Sequence, residues 1–111
     1  MNAVIIDDEA VVRNTIRSLL AENFPDINIL ATAGNIQEGY AVIINTKPDL
    51  LFLDIELPDG TGFDLLKKFQ QISFKVIFVT GHHEYALNAI KVSALDYVLT
   101  PILTDELCRA V

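Results

Sequence analysis

With 111 residues, 51% of them hydrophobic, the chain is long enough for one domain with a substantial core and too apolar for a disordered segment. No apolar run approaches the ~20 residues of a membrane helix, the first residues lack the basic stretch of a signal peptide, and the lone Cys108 excludes an internal disulfide, so a cytoplasmic protein is expected. The net charge of -7 argues against direct grip on a nucleic-acid backbone and favours a metal cation or a basic protein partner.

Val4-Ile5-Ile6 is a short apolar run ending in Asp7-Asp8, and it predicts strand one. Val12, Ile16, Leu19 and Leu20 then share one helical face, predicting a helix over residues 9–23 that Pro25-Asp26 breaks. Residues 27–33 alternate in part, with Asn28 and Thr32 on one side, as an edge strand does. Gly34-Asn35 opens a second helix. Asn35 and Glu38 have capping-box spacing, and Ile36, Tyr40, Ile43 and Ile44 form its apolar stripe. Lys47-Pro48 ends it.

The unbroken run Leu50–Leu53 follows and stops at Asp54, the pattern of a strand covered on both faces. A Pro58-Asp59-Gly60 turn leads to a helix over residues 61–71, with Leu65, Leu66 and Phe69 buried. Lys75–Thr80 is a second doubly buried strand, and Gly81-His82-His83 a loop. A short helix over residues 84–92 and a fifth strand over residues 95–99 come next, closed by Thr100-Pro101. Thr104-Asp105-Glu106 starts a last helix that runs little more than two turns to Val111 and is expected to be cut short. There is no internal repeat or linker, so residues 1–111 are expected to form one domain.

Strands alternating with helices predict an α/β fold: a single doubly wound five-stranded parallel sheet with helices on both faces. With strands two and five at the edges, the order is 2-1-3-4-5, the flavodoxin-like arrangement. Strands one and three are then neighbours, and Asp7, Asp8 and Asp54 meet at the carboxyl edge, where open α/β sheets place their ligands. One of Asp7 and Asp8 is expected to cap the first helix, but capping leaves the third acid unexplained. Like charges raise one another's pKa unless a cation neutralises them. Hard oxygen ligands with open positions suit Mg²⁺, which keeps several waters and often meets a phosphate. Thr80, at the end of the adjacent strand, offers a hydroxyl to an anion at Asp54, and Gly81 leaves the approach uncrowded. A carboxylate so placed can attack phosphorus and form an acyl phosphate.

These residues carry a resemblance. Ile5-Ile6-Asp7-Asp8-Glu9, the segment from Asp54 to Gly62, Val79-Thr80-Gly81 and the segment from Asp96 to Pro101 occur in the order found in the receiver domain of two-component response regulators. The stretches around Glu84-Tyr85-Ala86-Leu87 and Ala94-Leu95-Asp96-Tyr97 are most similar to receivers that precede LytTR-type DNA-binding domains. The resemblance implies that Asp54 is the phosphoacceptor for a sensor histidine kinase. It implies that Asp8, Asp54 and the backbone carbonyl of Glu56 bind Mg²⁺ directly and Asp7 through water. It further implies that Thr80 bonds a phosphoryl oxygen and that Tyr97 is the aromatic switch. An output domain and a homodimer through the helix 4, strand 5, helix 5 face are implied as partners, with no turnover of an external substrate.

One residue departs from the family. Thr100 stands where receivers normally carry a lysine that salt-bridges the phosphoryl group. Its absence exchanges a charge-assisted bond of roughly 1.5–3 kcal/mol for a neutral one of about 0.5–1.5 kcal/mol. An alternative reading is therefore a phosphorylation-independent, receiver-like interaction module. A third, a haloacid-dehalogenase-like phosphatase, requires a second Asp two residues after the first, where this chain has Glu56. His82, His83, Cys108 and the Lys67-Lys68 pair are expected to be structural or solvated rather than ligands.

Overall fold

Every residue of the run Leu50–Leu53 is fully buried, as a strand with helices on both faces requires. A computed structural model describes residues 1–80 and 96–99. In chain order it contains β1 (Asn2–Ile6), α1 (Ala10–Asn23), β2 (Asn28–Ala33), α2 (Ile36–Thr46), β3 (Leu50–Leu53), β4 (Glu56–Leu57), β5 (Gly60–Thr61), α3 (Gly62–Leu66), β6 (Lys75–Thr80) and β7 (Asp96–Leu99). The main sheet is parallel with the order β2-β1-β3-β6-β7. This is the expected flavodoxin-like 2-1-3-4-5 order. The fourth and fifth long strands become β6 and β7 because the loop after β3 folds into a small antiparallel hairpin, β4 with β5.

Alternation along the central strands divides the core. Val4, Ile6, Leu51, Leu53, Val76 and Phe78 face one side, where Ile36 and Ile43 of α2 and Phe63, Leu65 and Leu66 of α3 cover them. Ala3, Ile5, Leu50, Phe52, Ile77 and Val79 face the other, against Ile16 and Leu20 of α1. Val12 and Leu19 flank that contact, so the predicted face of the first helix packs as expected.

Two helices differ from the sequence reading. In α2 the buried positions are Ile36, Gly39 and Ile43, while Tyr40 and Ile44 are exposed. Gly39 lies so close to β1 that a Cβ there would sit 2.7 Å from Ile6 Cδ1. The helix is therefore turned to bring its smallest residue against the strand. The third helix ends at Leu66 rather than residue 71. Beyond it the Lys68 and Phe69 N–H groups donate to Leu65 and Leu66 oxygens at 3.1 and 3.2 Å, tightening the chain into three-residue turns. Phe69 still packs, its ring 5.2 Å from Tyr40 and 5.6 Å from Phe74.

β2 lies at one end of the sheet, as expected of an edge strand. Its register with β1 shifts between Ala3 and Val4, which pair with Ile29 and Ala31 and pass over the exposed Leu30. Among the described residues no helix is long and apolar enough to cross a membrane. The predicted helix over residues 84–92 and the last helix with its shortened end lie outside the described residues, as do Gly81, His82, His83, Thr100 and Cys108.

Phe52 is among the largest fully buried side chains. Phe52→Ala is expected to cost about 3–5 kcal/mol through lost burial and the cavity left behind, measured as a lower urea midpoint with an unchanged slope.

Candidate functional site

The acidic cluster is built where two strands stop together. Ile6 of β1 pairs with Leu53 of β3, and each strand is then followed by an acid. The ladder continues one residue further: the Asp7 N–H donates to the Ala33 oxygen at 3.0 Å, and the Asp54 N–H to the Ile6 oxygen at 2.9 Å. Both aspartates are thus held by backbone bonds, and Asp8 follows directly. Carboxylate oxygens of Asp7, Asp8 and Asp54 all lie within 4.8 Å of one another. Their exposure is graded. Asp7 is 3% exposed, Asp54 is partly buried and Asp8 is exposed.

Neither of the two acids after β1 caps α1 in the expected way. The N-cap residue is Glu9, which makes no side-chain cap bond. Asp7 Oδ1 instead accepts from the Glu9 N–H at 2.8 Å, a local turn that leads into the helix. Arg13, one turn into α1, donates from Nη1 to the Asp7 carbonyl at 2.6 Å. The loop between β1 and α1 is therefore fastened from both sides.

Burial is the main reason these carboxyls resist ionising. It pushes Asp7 up to about 7, with the Glu9 N–H pulling the other way and repulsion from Asp54 and Asp8 adding to the rise. It pushes Asp54 up to about 6, opposed by the Glu56 and Ile55 N–H groups and reinforced by Asp8 and Glu9. A cation that displaces these protons relieves both burial and repulsion. Three clustered carboxylate oxygens are the hard donors a small divalent ion takes.

The loop after Asp54 needs glycine at two points. Gly62 donates its N–H to the Ile55 oxygen at 2.7 Å, and a Cβ on it would lie 2.6 Å from the Asp54 carbonyl oxygen. Gly60 has φ +147°, a conformation that side chains disfavour. Thr61 and Asp64 form a complete capping box that starts α3. Glu56 lies in β4, two residues beyond Asp54. Thr80 is the last residue of β6, the neighbour of β3, and so reaches the same edge by its backbone. Tyr97 is in register with Phe78 in β7. Gly81 and Thr100 cannot be placed, since they fall outside the described residues.

Sequence reasoning assigned Asp59 only to a turn. Its carboxylate accepts from the N–H groups of Ile36 and Gln37, at 2.8 and 3.1 Å, across 23 and 22 residues of chain. These bonds, that from Ile36 first, hold its carboxyl below the usual range. No local sequence signal announces a cap supplied from so far away.

Fold and site together define an α/β domain with a cation-ready acidic edge. The chain belongs to the response regulator receiver domain family, whose family model matches residues 3–111. It is 38% identical over 112 residues to an uncharacterized response regulatory protein of Vibrio cholerae, covering 100% of this chain and 47% of that protein. It is 34% identical over 113 residues to the sensory transduction protein LytT of Enterococcus faecalis, covering 100% of this chain and 46% of that one. Among solved structures, a DNA-binding response regulator of the LuxR family from Staphylococcus aureus superposes with a TM-score of 0.86 at 27% identity, covering 98% of this chain and 93% of that one. The chain spans about half the length of the curated relatives it matches. It is thus a receiver domain of two-component regulators, a class of signalling module, and its acidic cluster is one able to hold a metal ion.

Both raised carboxyls bind protons more tightly in the folded than in the unfolded chain. Without a cation, the stability they contribute is therefore lost as pH rises from about 4 toward 7. Asp54→Asn removes one of these charges. In chelator near pH 7.5 the variant is expected to be about 1–2 kcal/mol more stable than the wild type, and the gap to close toward pH 5, as urea unfolding across pH would record. Gly62→Ala, whose Cβ meets backbone, is expected to cost about 1–3 kcal/mol and to shift the Asp54 amide resonance.

Proposed function

We propose that the chain is a phosphorylation-controlled switch in which Asp54 accepts a phosphoryl group from a sensor histidine kinase. The observation that carries this reading is the convergence of Asp7, Asp8 and Asp54 within 4.8 Å at the ends of β1 and β3. A carboxylate oxygen of Asp54 attacks phosphorus, the phosphorus–nitrogen bond of the phosphohistidine breaks with its electron pair going to the imidazole, and an acyl phosphate forms. Asp8, Asp54 and the Glu56 carbonyl would hold Mg²⁺, with Asp7 assisting. The chemistry Mg²⁺ would supply there is neutralisation of charge on the acceptor carboxylate and on the transferring oxygens. The backbone bond from Asp54 to Ile6 keeps the acceptor oriented. Thr80 moves toward the phosphoryl group and donates to one of its oxygens, with Gly81 leaving room, and Tyr97 turns inward with it as the switch.

Residues 1–111 act as one receiver domain that turns over no external substrate. It works in the cytoplasm and controls an output domain. The names LytT and LytR among its relatives support an output of the LytTR DNA-binding type. The net charge of -7 supports leaving nucleic-acid contact to that output domain. Association of two copies uses the face formed by the fourth helix, the fifth strand and the fifth helix.

Incubation with acetyl phosphate, read by intact mass, tests the chemistry. The expected result is one added phosphate that requires both Mg²⁺ and Asp54, absent in Asp54→Asn. Mg²⁺ binding without any phosphate gained would go against the switch and favour the phosphorylation-independent module, for which Thr100 is the specific support. Thr100→Lys restores the charge-assisted bond and is expected to speed phosphorylation about three- to tenfold. An unchanged rate would mean that Thr100 does not limit the reaction.

A further inference from the structure

The hairpin that follows the phosphoacceptor is too short to hold itself in place. β4 and β5 are two residues each, paired Glu56 with Thr61 and Leu57 with Gly60, and isolated hairpins are marginal even at greater length. Its base is fixed by the Gly62 N–H to the Ile55 oxygen. Its tip, at Asp59, is fixed by α2.

The start of α2 is arranged to receive that tip. A helix leaves its first four N–H groups without partners inside the helix. Here the Asn35 side chain takes one of them, accepting from the Glu38 N–H at 2.8 Å, while the Gly39 N–H makes the first regular helical bond to the Asn35 carbonyl at 2.9 Å. Two more, on Ile36 and Gln37, go to Asp59. The carboxylate thus gains two charge-assisted bonds at the positive end of the helix. The seat is close: a Cβ on Gly60 would lie 2.8 Å from Ile36 Cδ1. The segment leading into α2 also rests on the acid-bearing loop, since a Cβ on Gly34 would be 4.0 Å from Asp8 Cα and from the Asp7 carbonyl oxygen. Asp59 itself is exposed, so its contribution is these bonds rather than burial.

We propose that Asp59 is a positioning residue, whose carboxylate pins the hairpin tip to α2 and so holds Glu56, at the hairpin base, where its carbonyl meets the cation bound by Asp8 and Asp54. This rests on the receiver reading of the acidic edge and adds to it a long-range clamp. Loss of the clamp frees the hairpin and weakens the cation site without removing a ligand.

Mg²⁺ titration of the folded protein, followed by amide NMR, tests the clamp in Asp59→Ala, Asp59→Asn and Asn35→Ala. Asp59→Ala is expected to weaken Mg²⁺ binding about 3- to 10-fold, somewhat less than loss of a direct partner of a metal ligand. Asp59→Asn keeps one acceptor oxygen and is expected to recover part of that loss. Asn35→Ala strips α2 of its own cap while leaving the Asp59 bonds, and is expected to stay within about twofold of wild type, although it destabilises the helix. Equal weakening by Asn35→Ala, or no weakening by Asp59→Ala while the wild type binds, overturns the clamp alone. A wild type that binds no Mg²⁺ overturns the receiver reading and the clamp with it.

Discussion

Three carboxylates cannot be crowded at the mouth of an apolar sheet unless protons or a cation hold their charge in check. The functional edge depends on that constraint. Asp7 and Asp54 cannot move apart, because each extends a β-ladder by one residue, toward Ala33 and Ile6. Below them lies a wall of fully buried side chains, Ile6, Leu53 and Phe78 among them, which supplies no solvent to soften the repulsion. The sheet thus creates an electrostatic deficit that protons, or a divalent ion able to displace them, would relieve.

The grading of exposure gives each acid a different character. Asp7 is sealed beneath the others and tied to the Glu9 N–H, so it shapes the field from below. Asp54 is partly open and meets the Ile55 and Glu56 N–H groups, which hold its orientation. Asp8 faces solvent. Asp7 and Asp8 differ in exposure because consecutive residues leaving a strand point to different sides.

How much of this was legible depended on how local each cause was. The runs Val4-Ile5-Ile6, Leu50–Leu53 and Val76–Val79 announce strands buried on both faces because every one of their side chains is apolar, and with strands two and five set at the edges the sheet order followed. The acid trio was legible for the same reason, as the first polar residues after those runs. The end of α3 was not, because Phe69 keeps an apolar contact with Tyr40 and Phe74 after helical hydrogen bonding has stopped. Nor was the facing of α2, where Gly39 rather than Tyr40 meets the sheet. Periodicity counts hydrophobic residues, whereas packing also selects for small ones. The cap that Asp59 supplies was hidden altogether, since it joins amides 22 and 23 residues away.

The register shift in β2 bears on how the domain meets other proteins. A terminal strand offers a row of unpaired backbone groups on which another chain can build. Passing over Leu30 interrupts the even spacing of that row and twists the strand locally. This makes β2 a poor template for strand addition, so a flexible linker or a second copy finds no continuous seam along that side.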